Sequence, residues 1–300
     1  MTKSHYPNGF AGGVSIRNMP ILNAYGGNVV WVDSGPGLNG NGNEATPFSS
    51  IENAMNSGVL TANNGDIIMV KAGHAETVSA AAGIDMDVAG VSIIGLGNGS
   101  NRPIITFDTA ATADIDIDAA NISVENIVFS ANFADIAAAI DVNAVNFSLR
   151  GCHFQATAAD MNFKICVQDG ATTTSNGITI EGCTSLMLDA ADTHFVNLAG
   201  TGDGHLIRDN VLHGNWGTMC IGGAGVVTRC SILNNFIFNI AADADSCISM
   251  AATATGICAN NRCTGGHASQ GIIPGDLGAM ENYYELSTSD LSGVIEPAVA

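Results

Sequence analysis

The stretch from Val124 to Phe129 consists of an apolar residue, a bend residue and further apolar residues, and it recurs along the chain. Its copies begin at Ile93, Val124, Leu149, Ile180, Ile207, Leu233, Cys258 and, in degenerate form, Ala279. The copies are 21 to 31 residues apart. A repeat of this length is typical of a solenoid, in which each coil contacts only its neighbours.

The columns of this repeat indicate which kind of solenoid forms. Two residues into the copies stand Gly95, Asn126, Gly151, Gly182, Asp209, Asn235, Asn260 and Glu281. All but the last are residue types that tolerate the left-handed backbone of a sharp bend. Three residues later most copies carry a bulky or sulfur-containing residue: Phe129, Phe154, Leu212, Phe238, Cys263 and Tyr284. This pattern predicts an all-β, single-stranded parallel β-helix with coils about 4.8 Å apart.

The predicted solenoid fills most of the chain as one continuous domain. Residues 1–28 are rich in Gly and Asn, and we expect an extended N-terminal arm there. Residues 29–300 form the β-helix, with an N-terminal cap over 29–60 and a C-terminal cap over about 283–300. These caps would cover strand edges that a solenoid otherwise leaves unpaired.

A short capping helix is predicted inside the N-terminal cap. Thr46 and Pro47 supply an N-cap and a first-turn proline, so we expect a helix from Phe48 to Asn56. Its inward residues would be Ile51, Ala54 and Met55.

The charge balance of the chain restricts its partners. Apolar residues make up 46% and charged residues only 12%, and nine basic against 28 acidic residues give a net charge of −19. We therefore expect no contact with nucleic acid, because phosphates require Lys and Arg. The N-terminal segment has no apolar run, which predicts no secretory signal peptide, and no segment approaches the ~18 apolar residues of a membrane span.

All eight cysteines lie between Cys152 and Cys263, and none forms a CxxC pair. Cys152 and Cys183 occupy the ladder position that Ile127 occupies in an earlier coil. They are best interpreted as small apolar core residues in a reducing cell. Oxidation of stacked cysteines and a zinc site are the alternatives.

Several segments of the chain resemble known proteins. The segments Trp31–Asp33, Thr46–Ile51 and Gly65–Ile68, together with the Asn bends, resemble the right-handed, pectate-lyase-like β-helix superfamily. A narrower resemblance, to virion-associated β-helix proteins of tailed phages, is carried by His5–Phe10, Ala72–Thr77, Val91–Gly97 and Ala131–Ile136. It implies a right-handed helix and a homotrimer attached to the outside of a virion, and it supplies no catalytic residues or cofactor.

The function expected from this resemblance is that of a non-enzymatic bacteriophage structural protein. We expect a capsid decoration or cement protein, localised to the virion, whose partners are other copies of itself and the major capsid protein or another virion protein. The arm, with Lys3 and Arg17 among only nine basic residues, would make the attachment. The alternatives are a tailspike-like polysaccharide depolymerase, which would need a carboxylate pair, and a host-surface adhesin.

One column of acidic residues stands out in the repeat. Nine residues before three successive copies the chain reads Ile84–Asp87, Ile115–Asp118 and Ile140–Asn143. The apolar residues would alternate inward, which leaves Asp85, Asp87, Asp116, Asp118 and Asp141 on the outer face. In the simplest interpretation water screens these like charges and the column only adds solubility. Otherwise a hard cation such as Ca²⁺ or a basic patch on a partner binds there, and the partner contact is favoured because carboxylates on a flat strand face rarely surround an ion.

A second charged column alternates in sign. It reads Glu125, Arg150, Glu181, Arg208 and Asn234 on successive coils. We interpret it as a solvated ladder of ion pairs rather than a ligand-facing strip, and each such pair contributes little stability.

Overall fold

The computed structural model describes residues 14–16, 19–21, 26–170, 175–241, 246–267, 271–286 and 294–296. Three long sheets dominate this part of the chain, and the strands of each sheet come from successive coils. The solenoid strands pair in parallel throughout, apart from one antiparallel edge strand. The predicted parallel β-helix is confirmed, while its right-handed winding stays a prediction.

The first sheet comprises Val29–Val32, Ile67–Val70, Ser92–Gly95, Ser123–Glu125, Ser148–Arg150, Thr179–Glu181, Leu206–Arg208, Cys230–Leu233, Thr255–Ala259 and Asp276–Met280. The second comprises Ala75–Val78, Ile104–Phe107, Val128–Ala131, His153–Ala156, Thr184–Met187, Val211–Gly214, Phe236–Asn239, Arg262–His267, Asn282–Leu286 and the antiparallel edge strand Val294–Glu296. The third comprises Ile84–Asp85, Ile115–Ile117, Ile140–Val142, Ile165–Asp169, His194–Leu198, Ile221–Gly223, Ile248–Met250 and Ile272–Ile273.

Two small sheets complete the strand pairing. Gly202–Asp203 and Val227–Thr228 pair in parallel at a corner between coils. Val14–Ile16 and Met19–Ile21 pair in antiparallel fashion within the segment predicted to be an extended arm. A 3₁₀ turn spans Gly99–Asn101.

The helix at the start of the solenoid is shorter than predicted. It spans Ile51–Met55, and the Ser50 side chain, not that of Thr46, caps it by accepting a hydrogen bond from the backbone N–H of Asn53 at 3.0 Å. Phe48 cannot join the helix because its backbone pairs with the first strand, donating to the carbonyl of Trp31. The predicted inward residues of the helix, Ile51, Ala54 and Met55, are all buried.

The strand register confirms the repeat except at one copy. The predicted starts Val124, Leu149, Ile180 and Ile207 are direct Cα partners on successive strands of the first sheet. The partner of Ile207 is Ile232, whose next partner is Cys258. The start predicted at Leu233 was therefore wrong by one residue.

The same shift applies to the bend column. Positive φ angles occur, as predicted, at Asn126, Gly151, Gly182, Asp209 and Asn260. In the misplaced copy Asn234, with φ of 56°, takes the bend instead of Asn235. Ile237 rather than Phe238 then points inward. Glu281 bends with φ of 53° despite its residue type, whereas Gly95 is not among the residues with positive φ.

The residue after each bend is often an asparagine, which is also a common bend residue, and this makes the register easy to misplace. The position after the bend points into the core and holds Ile127, Cys152, Cys183, Asn210, Asn235, Asn261 and Asn282 on successive coils. The Asn235 amide donates to the Ile207 carbonyl at 3.0 Å and to Oδ1 of Asn261 at 2.9 Å, while its own oxygen accepts from the Asn210 side chain at 2.9 Å. In a pair of adjacent asparagines the first residue bends the chain, and the second forms a buried amide ladder between coils.

Aliphatic side chains fill most of the rest of the interior, and aromatic and sulfur-containing side chains pack among them. Ring centroids lie 4.9 Å apart for Phe129 and Phe154, and 5.5 Å apart for Phe154 and Phe195. All eight cysteines are buried, as expected of small core residues. Burial raises the pKa of the Cys166 and Cys220 thiols well above the usual value, so neither forms a reactive thiolate at neutral pH.

The amide ladder predicts that substitutions of two adjacent asparagines, Asn234 and Asn235, have very different effects on the free energy of unfolding. Asn235→Ala should lower the free energy of unfolding by about 2–4 kcal/mol, because it leaves buried hydrogen-bonding groups without partners. Asn234→Gly is the control, since glycine accepts the left-handed bend and only an exposed bond to Asp209 is lost; its effect should stay within about 0.5 kcal/mol. Equal losses in urea unfolding would contradict the assignment.

Candidate functional site

The acidic column lies on the outer face of the third sheet, as predicted. Asp116 is the direct Cα partner of Asp85 on one side and of Asp141 on the other. Ile84, Ile115 and Ile140, which precede them, are buried. Parallel strands lie about 4.8 Å apart, so the three carboxyl groups follow one another at roughly that spacing.

Asp87 and Asp118 extend the column on its solvent side. Both side chains are exposed, and Asp118 accepts a hydrogen bond from the Asn143 side chain at 3.1 Å. The structure thus places all five predicted aspartates in the same region of the surface. The other two predicted partner-binding residues, Lys3 and Arg17, lie outside the described residues.

Two further carboxyl groups belong to the cluster and were missed by the sequence analysis. Glu52 of the capping helix accepts the backbone N–H of Asp85 at 2.8 Å. Asp114 immediately precedes the second strand of the column and accepts the backbone N–H of Ala82 at 2.5 Å. Asp114 stands next to Ile115 in the sequence and could have been included, whereas the repeat gives no signal for Glu52, which comes from a different element.

Burial and mutual repulsion raise the pKa values of the three central carboxyl groups of the column. Partial burial, followed by repulsion from Asp114, Asp118, Asp141 and Asp85, raises the pKa of Asp116 to about 6. Burial raises the pKa values of Asp85 and Asp141 as well, and neighbouring carboxylates add to both shifts. One oxygen of each, Oδ1, is buried and has no hydrogen-bond partner among the described residues. The column is therefore not simply a solvated strip, since its three central carboxyl groups are half-buried.

The acidic character ends after three coils. The next two positions of the column are Gln168 and Asn197, and the Asn197 amide donates to the Gln168 side chain at 2.9 Å. The negative charge is thus concentrated at the N-terminal end of this face, beside the capping helix.

The alternating charge column on the first sheet forms two of the expected ion pairs, both through Glu181, whereas Glu125, the register partner of Arg150, makes no ion pair with the described residues. Glu181 pairs with Arg150 at 3.4 Å on one side and with Arg208 at 2.6 Å on the other. The residue that follows Arg208 in the column is Leu233, not the predicted Asn234, because of the one-residue shift. These side chains are largely solvent-accessible, so each pair contributes only up to about 1 kcal/mol.

The outer face of the second sheet lacks acidic residues, lysine and arginine along its middle, a feature that the sequence analysis also missed; it mixes apolar residues with polar ones such as Gln155, Thr184 and His213. Its outward positions from Ile104 to Phe238 contain no Asp, Glu, Lys or Arg. We call its apolar part the apolar strip, which consists of Leu186, Leu188, Val211, Phe238 and Ile240; His213 lies between Leu186 and Phe238 in the register. Its signal in the sequence is the run Phe236–Phe238, which does not alternate between apolar and polar residues as a half-buried strand does.

Comparison with protein-family models, with curated proteins and with solved structures finds no match. Within the described residues, no group of three or more His, Cys, Asp or Glu side chains has the arrangement needed to hold a metal ion. Among the same residues, none of the helices has the length and apolar character of a membrane span.

The raised pKa values predict how the column affects stability. A carboxyl with a raised folded-state pKa stabilises the fold below its unfolded pKa near 4, and this contribution is lost as the pH rises through about 6. Replacing Asp85, Asp116 and Asp141 together by Asn should therefore raise the melting temperature at pH 7.5 by roughly 2 °C, about 1 kcal/mol after screening by water.

At pH 4 the triple variant should differ less from the wild type, because the pKa of Asp116 is about 6 and the pKa values of Asp85 and Asp141 are also raised, so less charge is removed. A triple variant of exposed carboxylates outside the column, Asp160→Asn, Asp276→Asn and Glu44→Gln, serves as the control for net charge. An equal shift in both variants, or the same shift at both pH values, would show that general charge reduction and not the column is responsible.

Proposed function

We propose that this protein is a non-enzymatic structural component of a bacteriophage virion, a homotrimeric decoration or cement protein on the capsid exterior. The proposal includes a right-handed, pectate-lyase-like β-helix. Its support comes from the N-terminal and coil motifs that resemble phage β-helix proteins, such as His5–Phe10 and Ala131–Ile136, and from the continuous parallel stack that such proteins use.

The observation that carries the proposal is the separation of surface types on the three faces of the solenoid. The first sheet carries the ion-pair ladder, the third sheet carries the acidic column, and the second sheet carries the apolar strip. A rod with three different faces can bind two kinds of surface at once. This is what a protein that forms an oligomer and also attaches to a particle requires.

The apolar strip is the face best suited to self-association. Copies that each carry a net charge of −19 repel one another, and the repulsion is weakest where the contact surface has no charge. Leu186 and Val211 are 45% and 47% exposed, so burying them between copies gains free energy. We propose that three copies associate through this strip.

The acidic column is then the face available to another virion protein. Its half-buried carboxylates carry a strong negative potential, and no ion pair of the described residues neutralises them. A basic patch on the major capsid protein would complement this face, and the arm that contains Lys3 and Arg17 would add a second contact. A polysaccharide depolymerase or a host-surface adhesin is the rival proposal.

The strip is tested by two charge substitutions of matched exposure. Leu186→Glu should convert the trimer to a monomer, because it places three like charges in an uncharged contact. Ile257→Glu is the control, since Ile257 is 46% exposed but lies on the first sheet. Molar mass from light scattering after size-exclusion chromatography distinguishes them. A wild-type monomer, or equal behaviour of both variants, would refute association through the strip.

The attachment role of the arm is tested by a deletion. Removing residues 2–25 should leave the circular dichroism and melting of the solenoid unchanged but abolish binding to capsids. The deletion stops before Asn28, because its backbone N–H and side chain donate to the buried Asp66 at 2.6 and 3.2 Å. Decoration of capsids by the shortened protein at wild-type occupancy would show that the arm is not the attachment.

A further inference from the structure

Two histidines lie on the face of the second sheet that contains the apolar strip. The outward positions of this sheet from Ile104 to Phe238, all of which the structure describes, carry no Asp, Glu, Lys or Arg. Their ionisable side chains are His153 and His213, and both are partly exposed. This stretch of the face is therefore uncharged while the two imidazoles are neutral, and protonation of these rings is what would charge it.

His213 occupies the middle of the apolar strip. It is the direct register partner of Leu186 on one strand and of Phe238 on the next, and its ring centroid lies 5.8 Å from that of Phe238. Asp209 precedes the His213 strand and Asp189 follows the Leu186 strand, and both lie in connections at the edges of the face. The imidazole forms no ion pair within the described part of the chain, so a positive charge there would be unbalanced.

His153 lies two strands away, between Val128 and Thr184 in the register. Its Nδ1 lies 2.7 Å from Oγ1 of Thr184, and the charged group beside it is the Arg102 guanidinium. Burial, and after it the charge of Arg102, lowers the pKa of His153. A protonated His153 would thus add a second positive charge next to Arg102, and this part of the face would repel the same part of another copy.

The direction of the pH effect follows from what association does to a histidine. Contact between copies removes water from the ring and brings the equivalent rings of other copies near it, and both changes favour the neutral form. The pKa is then lower in the trimer than in the monomer. Such a group supports association above the monomer pKa, ordinarily about 6.5, and opposes association as the pH falls below it. Each histidine of this kind weakens association by about tenfold for each pH unit below that value.

The acidic column titrates in the same range but acts in the opposite direction. The pKa of Asp116 is about 6, so the third sheet loses negative charge as the pH falls through that value. Copies with a net charge of −19 then repel one another less, which favours association. Dissociation in acid would therefore have to come from the face that contains the histidines.

We infer that the contact between copies is a pH switch, which holds while His153 and His213 are neutral and opens when they are protonated. The inference rests on the proposed association through the apolar strip and adds its regulation. A trimer on a particle would be retained in neutral surroundings and released as single copies in acidic ones.

Light scattering after size-exclusion chromatography tests the inference on the full-length protein at pH 7.5 and pH 5.0, with equal ionic strength. We expect a threefold fall in molar mass at the lower pH and an unchanged circular dichroism spectrum. The double variant His153→Gln with His213→Gln keeps the face neutral and should remain trimeric at pH 5.0. The variant His213→Lys charges the strip permanently and should be monomeric at pH 7.5.

A histidine on another face supplies the matched control. His194 is also partly exposed, but it belongs to the third sheet. The variant His194→Gln should be trimeric at pH 7.5 and monomeric at pH 5.0, as the wild type is. Melting curves at pH 7.5 check that each variant is folded.

The possible failures can be told apart. A wild-type trimer at pH 5.0, or dissociation of the double Gln variant at that pH, would overturn the inference but not the proposed trimer. Loss of the β-sheet signal together with the fall in mass would also overturn it, since unfolding and not the contact would then respond to pH. A wild-type monomer at pH 7.5 would refute the association through the strip, and the inference with it.

Discussion

The structure depends on the stacking of one bend residue upon another between the first and second sheets. At this point each coil from Asn126 onward turns through a single residue with positive φ. The side chain after the bend is then fixed in the core, and the strands on either side pair with the same register as their neighbours. Insertion or deletion of one residue at the bend would turn the core-facing side chains of the adjoining strand to the outer face. The separation of charged and apolar faces therefore rests on this backbone feature.

Most of the architecture could be predicted from the sequence because the bend residues repeat. Asn126 and Asp209 stand two positions after the repeat starts Val124 and Ile207, and this recurring spacing predicts parallel coils. The prediction failed by one residue where Asn234 and Asn235 are adjacent, since either residue type can adopt the bend. Only the next coil decides between them: Asn261 provides the acceptor that the buried Asn235 amide needs. That information lies 26 residues away in the sequence.

The candidate site was predictable only in part, for a similar reason. The stacking of the three central aspartates follows from strand alternation, and the strand register confirms that stacking. The contribution of Glu52 could not be predicted, because it depends on how the capping helix sits on the first coils.

In the proposed assembly, the middle of the second sheet, which lacks Asp, Glu, Lys and Arg, makes the contact between copies, and the charged faces of the first and third sheets stay exposed. The most direct measurement is a cryo-electron microscopy reconstruction of the purified protein. The proposed assembly predicts three copies with the strip of Leu186 and Val211 at the common axis and the acidic column facing outward. A monomer, or an oligomer in contact through the first or third sheet, would contradict it.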